Sequence, residues 1–148
     1  MDEFFMRLAL EEARKAYSIG EVPVGAVIVH NEKVISNGCN MKETLKDPTD
    51  HAEIIAIRGA SKYLGGWRLS GCIMYVTLEP CPMCIGAILN SRIDRLVIGT
   101  RDPKMGACGT LIDLTNNEKF NHNVNVSCGV LEKECSDIIK KFFHELRK

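Results

Sequence analysis

Net charge is the first thing this sequence lacks. Nineteen Lys and Arg balance nineteen Asp and Glu, so the formal charge is zero. A protein that grips nucleic acid through a broad phosphate footprint usually shows a basic excess. That class is disfavoured, while a small basic patch around a pocket stays open. Any apolar run long enough to cross a bilayer is also missing, which argues against a membrane partner. The opening Met1-Asp2-Glu3 is acidic, unlike the basic start of a secretory signal, and a cytoplasmic location is expected. No repeat, low-complexity tract or linker divides the 148 residues. That length suits one domain, 1–148, with a real core. Nor is the cysteine count even: seven cannot all pair within the chain. Cys39, Cys72, Cys108, Cys128 and Cys135 are scattered, as buried free thiols in a reducing compartment would be.

What is present is an ordinary globular composition, 45% hydrophobic and 26% charged, with clear periodicities. Phe5, Leu8, Ala9, Ala13, Ala16 and Tyr17 recur at helical spacing, predicting a helix from Asp2 to about Ile19 that Gly20 ends. Gly25–Val29 and Lys33–Gly38 read as a hairpin around His30-Asn31-Glu32. Residues 40–50 are polar, contain Pro48 and form a loop. A helix follows from Thr49 or Asp50 to Tyr63, with Ile54, Ile55, Ile57 and Leu64 as its apolar face and Gly65-Gly66 as its stop. Cys72–Leu78 is a strand, Pro82–Ser91 a short helix and Asp94–Thr100 a second strand. The unbroken Leu96-Val97-Ile98 implies burial on both faces. After a Gly-containing loop, 101–110, a last strand covers Val124–Val130 and a helix runs from Leu131 onward. Strands alternating with helices after a hairpin predict an α/β fold, a three-layer α/β/α sandwich with a mixed sheet of about five strands.

The chemistry concentrates at Pro80-Cys81-Pro82-Met83-Cys84. Proline is tolerated at the first helical position, so Cys81 becomes an N-cap and Cys84 the third residue of the first turn. Both sulfurs then face the positive end of a helix dipole, which favours thiolate. Alone, the pair is ambiguous between half a structural zinc site, a redox couple and two buried thiols. His51-Ala52-Glu53, at another helix start, reduces the ambiguity. One His and two Cys make three zinc ligands with a fourth position left for water, the pattern of a catalytic site. Glu53 is near enough to act on that water without binding metal. Asp50 and Glu53 are also spaced as a capping box, the structural alternative for Glu53. Of four histidines, only His51 has a Glu two residues on; His30, His122 and His144 fall in a turn, a polar loop and the final helix.

The order H-x-E, then P-C-x-x-C, is the signature of zinc nucleobase deaminases. Glu21-Val22-Pro23-Val24-Gly25-Ala26-Val27, Asp47-Pro48-Thr49-Asp50-His51-Ala52-Glu53-Ile54 and Thr77-Leu78-Glu79-Pro80-Cys81-Pro82-Met83-Cys84 together resemble the bacterial tRNA-specific adenosine deaminases, of the cytidine deaminase-like superfamily. So do Ser91-Arg92-Ile93 and Arg101-Asp102-Pro103-Lys104-Met105-Gly106-Ala107. The last is the most discriminating, and the likeness runs to Phe142-Phe143. The resemblance implies hydrolysis of adenosine to inosine at the wobble position of a tRNA anticodon, with release of ammonia. It implies one zinc per subunit on His51, Cys81 and Cys84, with Glu53 as the proton carrier. It implies a homodimer, in which the apolar helix bearing Ile85, Ala87, Ile88 and Leu89 is shared. It also implies substrate roles for Asn40, Asp102 and Lys104, which residue chemistry alone reads as a turn residue, a loop cap and a solvated charge. Lys140, Lys141, Arg147 and Lys148 are candidate phosphate contacts, or the solvated face opposite a stripe of Cys135, Ile138, Ile139, Phe142 and Leu146. Two rival functions share the motif: a guanine or cytidine deaminase of free bases or nucleosides, and a non-catalytic, zinc-stabilised RNA-binding module.

Overall fold

Alternating strand residues divide the core into two layers. The computed structural model describes residues 1–147; Lys148, one of the candidate phosphate contacts, lies outside them. Among these residues five strands form one sheet: β1 (Gly25–His30), β2 (Lys33–Cys39), β3 (Cys72–Leu78), β4 (Arg95–Thr100) and β5 (Asn125–Cys128). Their spatial order is β2-β1-β3-β4-β5. β1 runs antiparallel to both neighbours, and β3, β4 and β5 run parallel. The helices are α1 (Asp2–Ser18), α2 (Ala52–Leu64), α3 (Pro82–Asn90) and α4 (Glu132–Leu146).

Successive strand residues point to opposite faces. Ala26, Ile28, Met74, Val76, Leu96 and Ile98 pack with Ala52, Ala56, Ile85 and Ile88 of α2 and α3. Val27, Val29, Tyr75 and Val97 pack with Phe5, Met6, Ala9 and Leu10 of α1 and Cys135 of α4. This is the expected α/β/α sandwich, and Leu96, Val97 and Ile98 are fully buried within it. At the start of α1, the Asp2 carboxylate accepts from Arg95 Nη1 and Nη2 at 2.9 and 2.7 Å and from the Tyr75 hydroxyl at 2.8 Å. That cluster ties α1 to β3 and β4.

The face that α2 buries differs from expectation. Ala52, Glu53, Ala56 and Ala60 are buried, whereas Ile54, Ile55 and Ile57 are half-buried and Leu64 is exposed. The cause is Gly38 on β2. A Cβ there would meet the Ala52 carbonyl oxygen at 2.4 Å and the Ala56 nitrogen at 2.9 Å. The helix backbone rests directly on the strand, and only small residues fit between.

Several boundaries move as well. α2 starts at Ala52 with His51 as its N-cap, later than Thr49 or Asp50, and Gly65, at φ +75°, ends it. His30 belongs to β1 and not to the turn. β5 is shorter than 124–130, and α4 begins at Glu132 because Leu131 is left-handed, at φ 54°. Ile85 and Ile88 lie wholly inside the monomer, so they cannot be shared between subunits as expected. On α4 only Cys135 is fully buried; Ile138, Ile139 and Phe142 are half-buried and Leu146 is exposed. The stripe is therefore not plain core. Of the scattered cysteines, Cys72, Cys108 and Cys135 are buried thiols, Cys39 is half-buried and Cys128 is exposed.

Candidate metal centre and its cavity

Topology gathers the candidate residues at one end of the sheet. β1 is antiparallel to both β2 and β3, and β3 is parallel to β4. The C-terminal ends of β2, β3 and β4 therefore lie together, where ligands of such sheets gather. The loop after β2 carries Asn40 and ends at His51. The turn after β3 carries Glu79 and Cys81. The loop after β4 carries Asp102 and Lys104.

α3 starts as its sequence demands. Cys81 is the N-cap and Pro82 holds the first helical position, which places Cys84 third. His51 caps α2 in extended backbone, at φ −73° and ψ 157°. The two helix starts face each other. His51 Nδ1 lies 3.7 Å from Cys81 Sγ and 3.5 Å from Cys84 Sγ. All three donor atoms fall within 4.8 Å of one another, and among the described residues they form the one such cluster. Around tetrahedral zinc, with Zn–S near 2.3 Å and Zn–N near 2.0–2.1 Å, the sulfur–nitrogen edge is about 3.6 Å. The donor set and its spacing both fit that ion.

Electrostatics at the site follow from burial and from this contact. The bond from the Cys84 thiol brings Cys81 down to about 4 against the opposing effect of burial, and His51 adds to the lowering. Cys84, fully buried, is pushed up by that same bond and by burial. The bond with Cys81 raises His51, again against burial. Burial takes Glu53 up to about 7. Glu53 is 4% exposed, and it does not form the capping box with Asp50. Asp50 is instead engaged by Arg58, whose Nη1 donates at 2.6 Å, and its carbonyl accepts from the Met41 amide at 3.0 Å.

His51, Glu53 and Cys81 line a cavity of about 910 Å³, and Asn40, Asp102 and Lys104 line it with them. The local roles of the last three match what their chemistry alone suggested. Asn40 donates to the Val22 carbonyl at 3.3 Å and accepts the Lys42 amide at 3.2 Å. Asp102 caps its loop by accepting the Lys104 amide at 2.9 Å. The Lys104 ammonium stands 5.7 Å from the centre of the Phe143 ring.

Sequence reasoning missed three contributors. α4 supplies an apolar wall of Ile139, Phe142, Phe143 and Leu146, residues first read as a core stripe. Glu21 is 2% exposed and accepts the Glu43 and Thr44 amides at 3.2 and 2.6 Å. Burial raises its pKa, but the Thr44 hydroxyl and these amides outweigh it and leave the carboxyl below the ordinary range. Glu79 is likewise 2% exposed, and donors from the loop after β4 hold it low in the same way. The available signal was an isolated acid among apolar residues and proline, as in Leu78-Glu79-Pro80 and Glu21-Val22-Pro23. Such an acid is buried with the strand beside it and has to be satisfied by backbone.

Comparison with known proteins gives a consistent picture. The pattern of the family described as "Cytidine and deoxycytidylate deaminase zinc-binding region" matches residues 1–100. A tRNA-specific adenosine deaminase of Bacillus subtilis is 50% identical over 147 residues, covering 99% of this chain and 91% of that protein. A tRNA-specific adenosine deaminase of Haemophilus influenzae is 49% identical, covering 99% and 86%. A solved structure from work on A-to-I editing by tRNA:A34 deaminases at the wobble position superposes with a TM-score of 0.88. It is 45% identical and covers 91% of this chain and 98% of that one.

Proposed function

The chain belongs to the zinc-binding cytidine and deoxycytidylate deaminase family, among its tRNA-specific adenosine deaminases, and from this premise we propose that it converts adenosine to inosine at the wobble position of a tRNA anticodon. Water adds at C6 of the adenine ring and the 6-amino group leaves as ammonia. The observation that carries the reading is the meeting of His51, Cys81 and Cys84 beside a buried Glu53 on one wall of the cavity.

His51 Nδ1 and the Cys81 and Cys84 sulfurs would hold one zinc per subunit. When bound, zinc supplies the Lewis acidity that brings the pKa of a water down to about 7. Glu53 carries protons. Its carboxylate takes one from the attacking water and passes it to N1 of the ring. It then takes the second from the hydroxyl added at C6 and delivers it to the departing amine, so that the C6 carbonyl forms as the C–N bond breaks. One carboxylate suffices because it alternates between base and acid. Burial favours its neutral form, which suits the donating half of that cycle. Asn40, Asp102 and Lys104, on the cavity lining, hold the nucleotide.

A cavity of about 910 Å³ falls within the roughly 300–1,000 Å³ range of small-ligand pockets and leaves room for more than a single base. Bases of an anticodon loop are already partly unstacked, which reduces the cost of extruding one. A pocket that reads shape and base edges needs no bulk positive charge, in agreement with a neutral chain. We assign the two-fold interface to the outer face of α2 and α3. There Ile54 and Ala87 are half-buried and Met83 is 37% exposed.

The test is direct. Purified zinc-loaded protein is offered an adenosine-34 anticodon stem-loop, free guanine and cytidine. Inosine in the stem-loop and ammonia in equal amount are expected. Deamination of guanine or cytidine with the stem-loop untouched overturns the reading, as does undiminished ammonia release by Glu53→Ala.

A further inference from the structure

Glu79 is an anion without a cation. It is 2% exposed, and none of the ion pairs among the described residues includes it. Its charge is met instead by one loop. Oε1 accepts the Asp102 amide at 3.1 Å and the Thr110 hydroxyl at 2.5 Å. Oε2 accepts the Cys108 amide at 2.9 Å and the Thr110 amide at 3.3 Å. Those four donors fill the acceptor sites of a carboxylate. The loop also packs its backbone onto the group. A Cβ at Gly106 would stand 2.5 Å from the Glu79 carboxyl carbon and from Oε1. Glycine at 106 is thus the residue that lets the loop close on the carboxylate.

Geometry links this anchor to the substrate side of the cavity. The segment held at Asp102, Cys108 and Thr110 includes Pro103, Lys104 and Met105, which line the wall. β4 and β5 are parallel neighbours, yet residues 101–124 join them without a helix. Fixed geometry in that loop therefore depends on tethers such as this one.

We propose that Glu79 is a positioning residue for the nucleic-acid substrate: its carboxylate fixes the Asp102–Thr110 loop as a rigid wall of the cavity, so that it sets how the nucleotide is held while taking no part in proton transfer. This rests on the reading of the site as a tRNA adenosine deaminase. Its signature is a split between binding and turnover. Loosening the loop blurs the wall that receives the nucleotide. The metal donors and Glu53 stay on their own helix starts.

Glu79→Gln provides the test. Each oxygen takes two donors, and three of the four are backbone N–H groups, so an amide nitrogen on either side confronts at least one N–H that it cannot accept. Zinc-loaded variant and parent are compared on the anticodon stem-loop, by zinc content and by amide hydrogen exchange. We expect KM to rise about tenfold while kcat and zinc per chain stay close to the parent. Exchange protection should be lost at the Asp102 amide, because the new amide nitrogen is least opposed on the Oε1 side, where the Thr110 hydroxyl can turn to accept from it. A fall in kcat at constant KM, or unchanged KM and protection, overturns the proposal. Should Glu79→Gln fail to fold, Thr110→Val removes the hydroxyl donor alone and should raise KM in the same direction by about threefold; constant KM there is equally fatal. A parent protein that leaves the stem-loop intact defeats the functional reading and this proposal together. Parent turnover with unmoved KM in the variants defeats this proposal alone.

Discussion

Arg58 donates from Nη1 to Asp50 Oδ1 at 2.6 Å, eight residues back along the chain. Asp50 is almost wholly buried while the Arg58 side chain is 59% exposed. The pair clamps the end of the 40–50 loop to the outside of α2, one residue before His51. Because the guanidinium is mostly solvated, its worth is that of a part-screened pair, about 1 kcal/mol. Asp50→Ala should lower the melting temperature by a few degrees (about 1 kcal/mol in a domain of this size). It should also speed zinc loss to a chelator, read as metal release over time.

His51→Ala, Cys81→Ala and Cys84→Ala should each purify with far less zinc than one ion per chain. Glu53→Gln should keep its zinc and lose turnover by roughly 10²–10⁴-fold, the usual worth of a positioned proton carrier. Metal analysis beside an inosine assay separates the two outcomes. Full zinc in all three ligand variants would remove the centre from consideration.

Gly38→Ala tests whether backbone contact positions the site. The added methyl has 2.4 Å to the Ala52 carbonyl oxygen, so α2 must lift from β2. Overpacking of this kind costs about 1–3 kcal/mol. The lift also carries His51 away from the sulfurs. Both a lower denaturation midpoint and weaker zinc retention are expected. Lost stability with unaltered zinc affinity would show that the site tolerates the shift.

Stability at the pH extremes should report on the cluster at the start of α1. The Arg95 guanidinium, opposed in part by burial and aided by the Tyr75 hydroxyl, holds Asp2 below its ordinary 3.8. A lowered acid contributes stability above its unfolded value and loses it as pH falls through the folded one. Burial, then the bond to Asp2, holds Tyr75 up at about 12 against an ordinary 10.0. That contribution is complete below 10 and disappears as pH rises through about 12. Asp2→Asn should cost about 1 kcal/mol at neutral pH, measured by denaturant titration. It should also flatten the stability profile below pH 4.

If the outer face of α2 and α3 joins two subunits, a charge there should separate them. Ile54→Asp and Met83→Asp are expected to sediment as monomers at micromolar concentration while the parent sediments as a dimer. A monomeric parent would refute the assignment.

Much of this was legible in the sequence because the signals were local. Pro82 at the first helical position fixed where Cys81 and Cys84 would stand, and the unbroken Leu96-Val97-Ile98 run foretold a doubly covered strand. The failures share a cause, since each depended on a contact that local spacing does not show. The small-residue face of α2, Ala52, Ala56 and Ala60 at four-residue spacing, is selected by Gly38 on another element, and beside it the larger Ile54, Ile55 and Ile57 gave the stronger apolar signal. Asp50 looked like a cap because Arg58 could not be seen to turn back. The stripe on α4 was correctly apolar, but part of its partner is a cavity. Glu79 and Glu21 were unremarkable acids until the loops that surround them were in place.

The order of strands in the sheet also governs when a metal can first be held. His51 follows the β1–β2 hairpin, which can form from neighbouring sequence. Cys81 and Cys84 follow β3, which must insert beside β1 before the helix starts meet. A chain with only the hairpin and α2 in place offers one of the three donors, the His51 imidazole. Such non-local pairing is slow compared with local structure. Uptake of the ion in a refolding experiment is therefore a clock for insertion of the central strand, and it should start only after hairpin and helix signals have developed.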